Sequence, residues 1–201
     1  MSTIETIRKK LFEIAKSLPE NDLATGSTGN ISARDPETGY VVIKSSSIPY
    51  DKMCEKDFAV VALDGMIIDI QPGQKPSFET PTHLDIYRKF PEVNAVLHTH
   101  TRQAIVLAAG RENIESHMTP TGRRLLKHPI PVIPFIENGT QEMADAVTSA
   151  LVGHVGVVIR NHGPFMTGSS VEEVFQRTVA LRDVCQLYYE MALLGQISVI
   201  S

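Results

Sequence analysis

The chain has 201 residues, a formal net charge of −4 and 42% hydrophobic residues. That length suits one domain, read here as residues 1–201, with a sizeable core. The mild acidity and the dispersed basic residues give no electrostatic reason to expect nucleic acid or an anionic membrane. No apolar run approaches the roughly 18 residues of a membrane span, and the N-terminus is a charged amphipathic stretch rather than a signal peptide. The two cysteines, Cys54 and Cys185, lack metal-finger spacing and read as free thiols of a cytoplasmic protein.

Ile4, Ile7, Leu11, Ile14 and Leu18 recur at helical spacing. Ser2 with Glu5 fits a capping box, and Pro19 ends the helix. Thr25-Gly26-Ser27-Thr28-Gly29-Asn30-Ile31-Ser32 then crowds two glycines, an asparagine and four hydroxyl residues together. Such a stretch either turns amides and hydroxyls toward an anion or is a plain turn between helix and strand. Tyr40-Val41-Val42-Ile43-Lys44 reads as a strand. It runs into Ser45-Ser46-Ser47, a second hydroxyl-rich turn with a lysine beside it. Residues 58–63 and 66–70 flank Asp64-Gly65, a hairpin turn.

Pro76-Ser77-Phe78-Glu79-Thr80-Pro81-Thr82-His83 opens a helix that runs to about residue 90. Ser77 or Thr80 is its expected N-cap, and Pro81 is tolerated in the first turn. A helix start rich in hydroxyls is a natural anion site. Glu79 there either complements the macrodipole or does chemistry.

Residues 93–100 form an apolar strand that ends on His98-Thr99-His100. Residues i and i+2 of a strand share a face, so the two imidazoles enter one space about 6–7 Å apart along the backbone. Both can then reach one metal ion at about 2.0–2.1 Å. A helix over 102–109 follows, then a partly helical excursion over 111–127 and a strand over 131–135. Thr140 caps a helix through residue 151. A buried strand over 155–160 ends in Asn161-His162-Gly163-Pro164. Ser169 or Ser170 caps a long helix from 171 to about 194, apolar over much of its surface and suited to packing on a sheet and on another subunit. The pattern predicts a three-layer α/β fold, a mainly antiparallel or mixed sheet flanked by helices. There is no P-loop and no GxGxxG.

Three of the seven histidines, His98, His100 and His162, end strands, where sites are built. Three histidines at one edge with an open position match a catalytic zinc site, although a lone His162 would more often be a packing residue. His83 stands four residues after Glu79 on the same helix side and reads as structural. His117, His128 and His154 find no partner.

Taken in order, Gly29-Asn30-Ile31-Ser32, Pro76-Ser77-Phe78-Glu79, His98-Thr99-His100 and Asn161-His162-Gly163 resemble the class II aldolase/adducin family from about residue 7 to 194. The resemblance implies zinc on His98, His100 and His162, with Glu79 as acid/base or as a further ligand in the resting state. It implies a substrate phosphate held by Ser27, Gly29, Asn30, Ser46, Ser47 and Ser77. It also implies a homotetramer with sites between subunits. Zinc as a Lewis acid suits a ketose carbonyl and its neighbouring hydroxyl, C–C cleavage leaves an enediolate, and Glu79 returns the proton.

This chain departs from the family pattern at several points. Phe78 replaces a second serine, and Ser47 replaces a glycine. Glu79 stands where epimerases carry Asp, residues 116–121 hold no acid and no tyrosine, and the chain stops at Ser201 without the epimerases' longer tail. The expectation is a zinc-dependent aldolase that cleaves a small phosphorylated ketose, L-fuculose 1-phosphate-like, to dihydroxyacetone phosphate and an aldehyde. An epimerase or dehydratase on the same scaffold is the alternative. A metal-free adducin-like structural module is the alternative of another class.

Overall fold

The computed structural model describes residues 3–195. Ser2, half of the expected capping box, lies outside them. Helix α1 (Thr3–Ser17) buries Leu11 and Ala15, and Pro19 diverts the chain into a short 3-10 turn. Four strands follow: β1 (Asn30–Arg34), β2 (Val41–Lys44), β3 (Phe58–Val61) and β4 (Ile67–Asp69). Helix α2 (Thr80–Lys89) leads into β5 (Ala95–His98). Next come α3 (Arg102–Ala108), β6 (Asn113–Ile114), α4 (Pro120–Leu126) and β7 (Ile130–Ile133). Helix α5 (Gln141–Ala150), the hairpin of β8 (Gly156–Ile159) with β9 (Gly163–Gly168), and α6 (Val171–Leu193) complete the order.

The nine strands form one sheet in the order β4-β3-β2-β1-β5-β9-β8-β7-β6. Every neighbouring pair is antiparallel except β7 and β8, which are parallel. The expected mixed, mainly antiparallel sheet is therefore present. Strands β2, β3, β5, β8 and β9 are buried along their whole length, because helices cover both faces. One face packs Ile31, Ala95, Leu97 and Met166 against α1, α3, α4 and α6. The other packs Val96, Val157 and Phe165 with Leu84, Ile86 and Met143 of α2 and α5.

Alternation along β5 decides the architecture of the site. Leu97 enters the α6 core, while Val96 and His98 point to the α2 side. The register sets Asn30 of β1 on one side of His98 and Phe165 of β9 on the other.

Some local expectations change. Strand β9 was not legible, because Gly163, Pro164 and Gly168 look like loop punctuation. The N-cap of α2 is Glu79 rather than Ser77 or Thr80. The Ser77 hydroxyl accepts from the Glu79 amide at 3.3 Å, and the Thr80 hydroxyl donates to the Ser77 carbonyl at 2.6 Å. These two bonds close a turn before the helix and leave the Glu79 carboxylate free. Thr140 and Ser170 do cap α5 and α6. Among the described residues no helix is long and apolar enough to cross a membrane, and Cys54 and Cys185 are free thiols.

Leu97 is fully buried on a central strand. Leu97→Ala is expected to cost roughly 2–5 kcal/mol in chemical denaturation. Because Leu97 faces away from His98, the folded fraction should bind metal as the parent does. A loss below about 1 kcal/mol would contradict this placement of the core.

Candidate active site

Two glycines let three strand ends converge. Gly29, with φ +74°, precedes β1, and a Cβ there would sit 2.7 Å from the His98 carbonyl oxygen. Gly163, with φ +150°, opens β9, and its Cβ would meet the Thr99 carbonyl oxygen at 2.1 Å. Any side chain at either position pushes the His98-Thr99-His100 backbone away. His100 lies just beyond β5, and His162 occupies the β8–β9 turn, where Asn161 takes a left-handed φ of 57°.

The three imidazoles close a near-equilateral triangle. Their ring centroids are 5.0 Å apart for His98–His100, 4.6 Å for His98–His162 and 5.2 Å for His100–His162. One ligand nitrogen from each lies within 4.8 Å of the others, so the group could hold a metal ion. His98 Nδ1 donates to the Pro164 carbonyl at 3.0 Å, which leaves Nε2 as a lone pair. Phe165 stacks on the His98 ring at 4.2 Å and holds its plane.

Glu79 completes the set from the α2 terminus. Its Oε2 accepts from Asn30 Nδ2 at 2.6 Å and lies 3.3 Å from His98 Nε2, while Oε1 lies 3.2 Å from His162 Nε2. The His98 and His100 Nε2 atoms are 3.1 Å apart. Ligands at about 2.0–2.1 Å from a tetrahedral zinc stand about 3.3 Å from each other, so these separations fit one shared ion. His162 Nε2 and Glu79 Oε1 are buried and, despite their closeness, not aligned as a hydrogen bond. A cation between them satisfies both.

The electrostatics point the same way. Burial pushes His98 down to about 3, with its histidine neighbours adding to the effect and Glu79 opposing it. Burial also lowers His100. Burial works to raise Glu79, but the facing His98 and His162 rings and the Asn30 amide outweigh it and hold the carboxyl below its usual range. At pH 7 a buried carboxylate therefore sits beside neutral His98 and His100. This is a donor set that lacks a positive charge.

All six residues expected to hold a phosphate, Ser27, Gly29, Asn30, Ser46, Ser47 and Ser77, line one cavity of about 300 Å³ with Glu79, His100 and His162. His98 is buried behind them. Backbone bonds from Ser46 to Lys75 and from Ser77 to Lys44 lash the two hydroxyl-rich turns together. Ser47 has φ 61°, a left-handed conformation where glycine would be unstrained. Phe78, at the cavity mouth, is 77% exposed.

Lys44 and Asn138 also line the cavity, and neither carried a site role in the sequence reading. Lys44 ends an all-buried strand at 1% exposure, with its ammonium 3.3 Å from the Ser27 carbonyl and 5.0 Å from the Tyr50 ring centroid. Its place beside the serine turn was the available signal. Asn138 comes from the loop before α5, and the Asn138-Gly139 dipeptide was its only mark. His117, His128 and His154 lie outside the site, as does Tyr188, which packs under Arg111.

The family model described as Class II Aldolase and Adducin N-terminal domain matches residues 9–189. A solved L-fuculose 1-phosphate aldolase shares 26% identity with a TM-score of 0.87, over 94% of this chain and 88% of that one. YgbL from Klebsiella pneumoniae, whose description spans aldolase, epimerase and decarboxylase, shares 25% identity with a TM-score of 0.83, over 95% and 92%. An L-fuculose-1-phosphate aldolase from Thermus thermophilus, at 24% identity and a TM-score of 0.83 over 94% and 95%, matches in fold.

Elemental analysis of the purified protein is expected to find about one divalent metal per chain. His100→Ala should lose most of it and keep its melting transition, because His100 lies outside the strand and is only half-buried. Full metal retention in that variant would contradict the ligand set.

Proposed function

Because the chain belongs to the class II aldolase and adducin N-terminal domain family, we propose that it is a zinc-dependent lyase. Its reaction is the cleavage of a small phosphorylated ketose, L-fuculose 1-phosphate-like, to dihydroxyacetone phosphate and an aldehyde. The observation that carries this reading is the Glu79 carboxylate, set 3.2–3.3 Å from two of the three convergent histidines in a cavity rimmed by hydroxyls. A metal-free structural module has no use for such a set.

A divalent metal held by His98, His100 and His162 would supply Lewis acidity to the ketose carbonyl and its neighbouring hydroxyl. The protein's own groups do the rest. The Ser27, Ser46, Ser47 and Ser77 hydroxyls and the Gly29 and Asn30 region grip the phosphate, and the Lys44 ammonium offsets its charge. That grip fixes the ketose so that the bond to be broken stands over Glu79. As this C–C bond breaks, the electron pair stays on the carbon next to the carbonyl, and the departing carbon becomes the aldehyde as its hydroxyl proton passes to the Glu79 carboxylate. Glu79 holds and returns the proton at the first of these carbons. Asn30 keeps the carboxylate turned inward.

Cleavage is favoured over epimerisation because epimerisation needs an acid/base group on each face of the substrate. Glu79 is the one carboxylate that lines the cavity among the described residues. Phe78 at the cavity mouth, and Met66 and Ile67 at the β4 edge of the sheet, expose apolar surface, at 77%, 59% and 51%. That surface supports contact with further copies in a homotetramer.

In a coupled assay the enzyme is expected to release dihydroxyacetone phosphate and free aldehyde from L-fuculose 1-phosphate or a related ketose 1-phosphate. Glu79→Gln should keep its metal and lose roughly 10²–10⁴-fold in kcat. Efficient interconversion of L-ribulose 5-phosphate and D-xylulose 5-phosphate without free aldehyde would overturn the lyase reading.

A pH profile tests the phosphate grip. Burial lowers Lys44 to about 8, with Asp57 opposing the shift. The group is cationic below that pH and neutral above it. Since kcat/KM reports the free enzyme, it should fall as pH rises through about 8. Lys44→Met should raise KM and lose that limb; an unchanged limb would remove Lys44 from the grip.

A further inference from the structure

A buried polar seam joins β1 to α2 beside Glu79, and the proposed chemistry does not use all of it. Asn30 and Ser32 share one face of β1. They meet Glu79, His83 and Tyr87, spaced i, i+4 and i+8 along α2 and so on one side of it. Asn30 holds Glu79 at 2.6 Å. Ser32 Oγ lies 2.7 Å from His83 Nδ1 and 2.8 Å from the Tyr87 hydroxyl. Ser32 and His83 are fully buried and Tyr87 nearly so, so no bulk water can take a proton from them.

The direction of the protons follows from counting acceptors. Burial raises the Tyr87 phenol, which stays protonated, and Ser32 is the side-chain partner of its hydroxyl. If Ser32 donated to Tyr87, the phenol proton would be left facing no acceptor in this pair. If Tyr87 donates to Ser32, the Ser32 proton goes to His83 Nδ1, and every proton of the chain has an acceptor. Accepting the Ser32 proton at Nδ1 leaves the His83 ring a single proton of its own. Its one proton therefore sits on Nε2. That N–H is buried and has no hydrogen-bond partner in the structure, and neither has Glu79 Oε1. The His83 backbone amide donates to the Glu79 carbonyl at 3.2 Å, which ties the two residues together at the start of α2.

We propose that His83 is a positioning residue for Glu79. The Tyr87–Ser32 relay fixes the Nε2–H tautomer, and that N–H braces the Glu79 carboxylate through one bridging water, against His98 and His162. The inference rests on the acid/base reading of Glu79. The competing role is packing alone, since the His83 ring also meets the Phe165 ring edge-on at 5.8 Å.

Two measurements decide between them. Long-range ¹H–¹⁵N spectra of the zinc-loaded protein are expected to show His83 protonated on Nε2. Ser32→Ala, which removes one hydroxyl, should release that preference. An Nδ1–H tautomer in the parent overturns the proposal. Kinetics with L-fuculose 1-phosphate then compare two amides. His83→Gln keeps a donor near the Nε2 position, whereas His83→Asn reaches only the Nδ1 position.

The Asn variant is expected to lose about 10–100-fold in kcat, with KM and zinc content unchanged, and the Gln variant to recover most of it. Equal kcat losses in both, tracking equal drops in melting temperature, would mean packing alone. The spectra need no turnover, so the tautomer is decided even if this ketose is not the substrate. Normal turnover in Glu79→Gln would sink the acid/base reading while the tautomer result stood on its own.

Discussion

The backbone of His98, Thr99 and His100 runs between Gly29 and Gly163 with no room for a methyl group on either side. Everything at the site depends on that close approach. It brings the ends of β1, β5 and β9 together, so Asn30, His98 and the Pro164 carbonyl belong to three neighbouring strands yet act on one ring and one carboxylate. A flexible loop would have to order each imidazole separately. Here the sheet does so, because strand pairing and the Phe165 stack have already fixed the His98 plane.

The same convergence creates an electrostatic deficit. The fold buries a carboxylate beside imidazoles that burial itself keeps neutral. Asn30 supplies one donor to Glu79, and the α2 terminus adds a favourable dipole end. Neither supplies a full charge. On the rim the balance is reversed: hydroxyls, a buried lysine and, among the described residues, no second carboxylate face the solvent side of the cavity. The rim therefore suits an anion, and the inner end a cation.

Much of this was legible in the residues. The His98-Thr99-His100 alternation predicted two imidazoles entering one space, and Glu79 was visible as a carboxylate at a helix start. The three-layer order followed from apolar runs separated by capped helices. The illegible parts have physical causes. Strand β9 carries Gly163 and Pro164 for close packing and a carbonyl acceptor, and those residues imitate a loop. The α2 cap was misplaced because Ser77 and Thr80 commit their hydrogen bonds to the preceding turn. Lys44 was visible beside the serine turn, but one sequence cannot show that its neighbours bury it. His83 read as structural because its partner, Ser32, lies 51 residues away in the chain.

The central claim is that His98, His100 and His162 share one metal ion beside Glu79. The most direct measurement is anomalous diffraction at the zinc edge from crystals of the metal-loaded protein. A single strong peak is expected about 2.0–2.1 Å from one nitrogen of each of the three histidines, with the Glu79 carboxylate at its side. A peak elsewhere, or none in protein shown to be active and loaded, would contradict it.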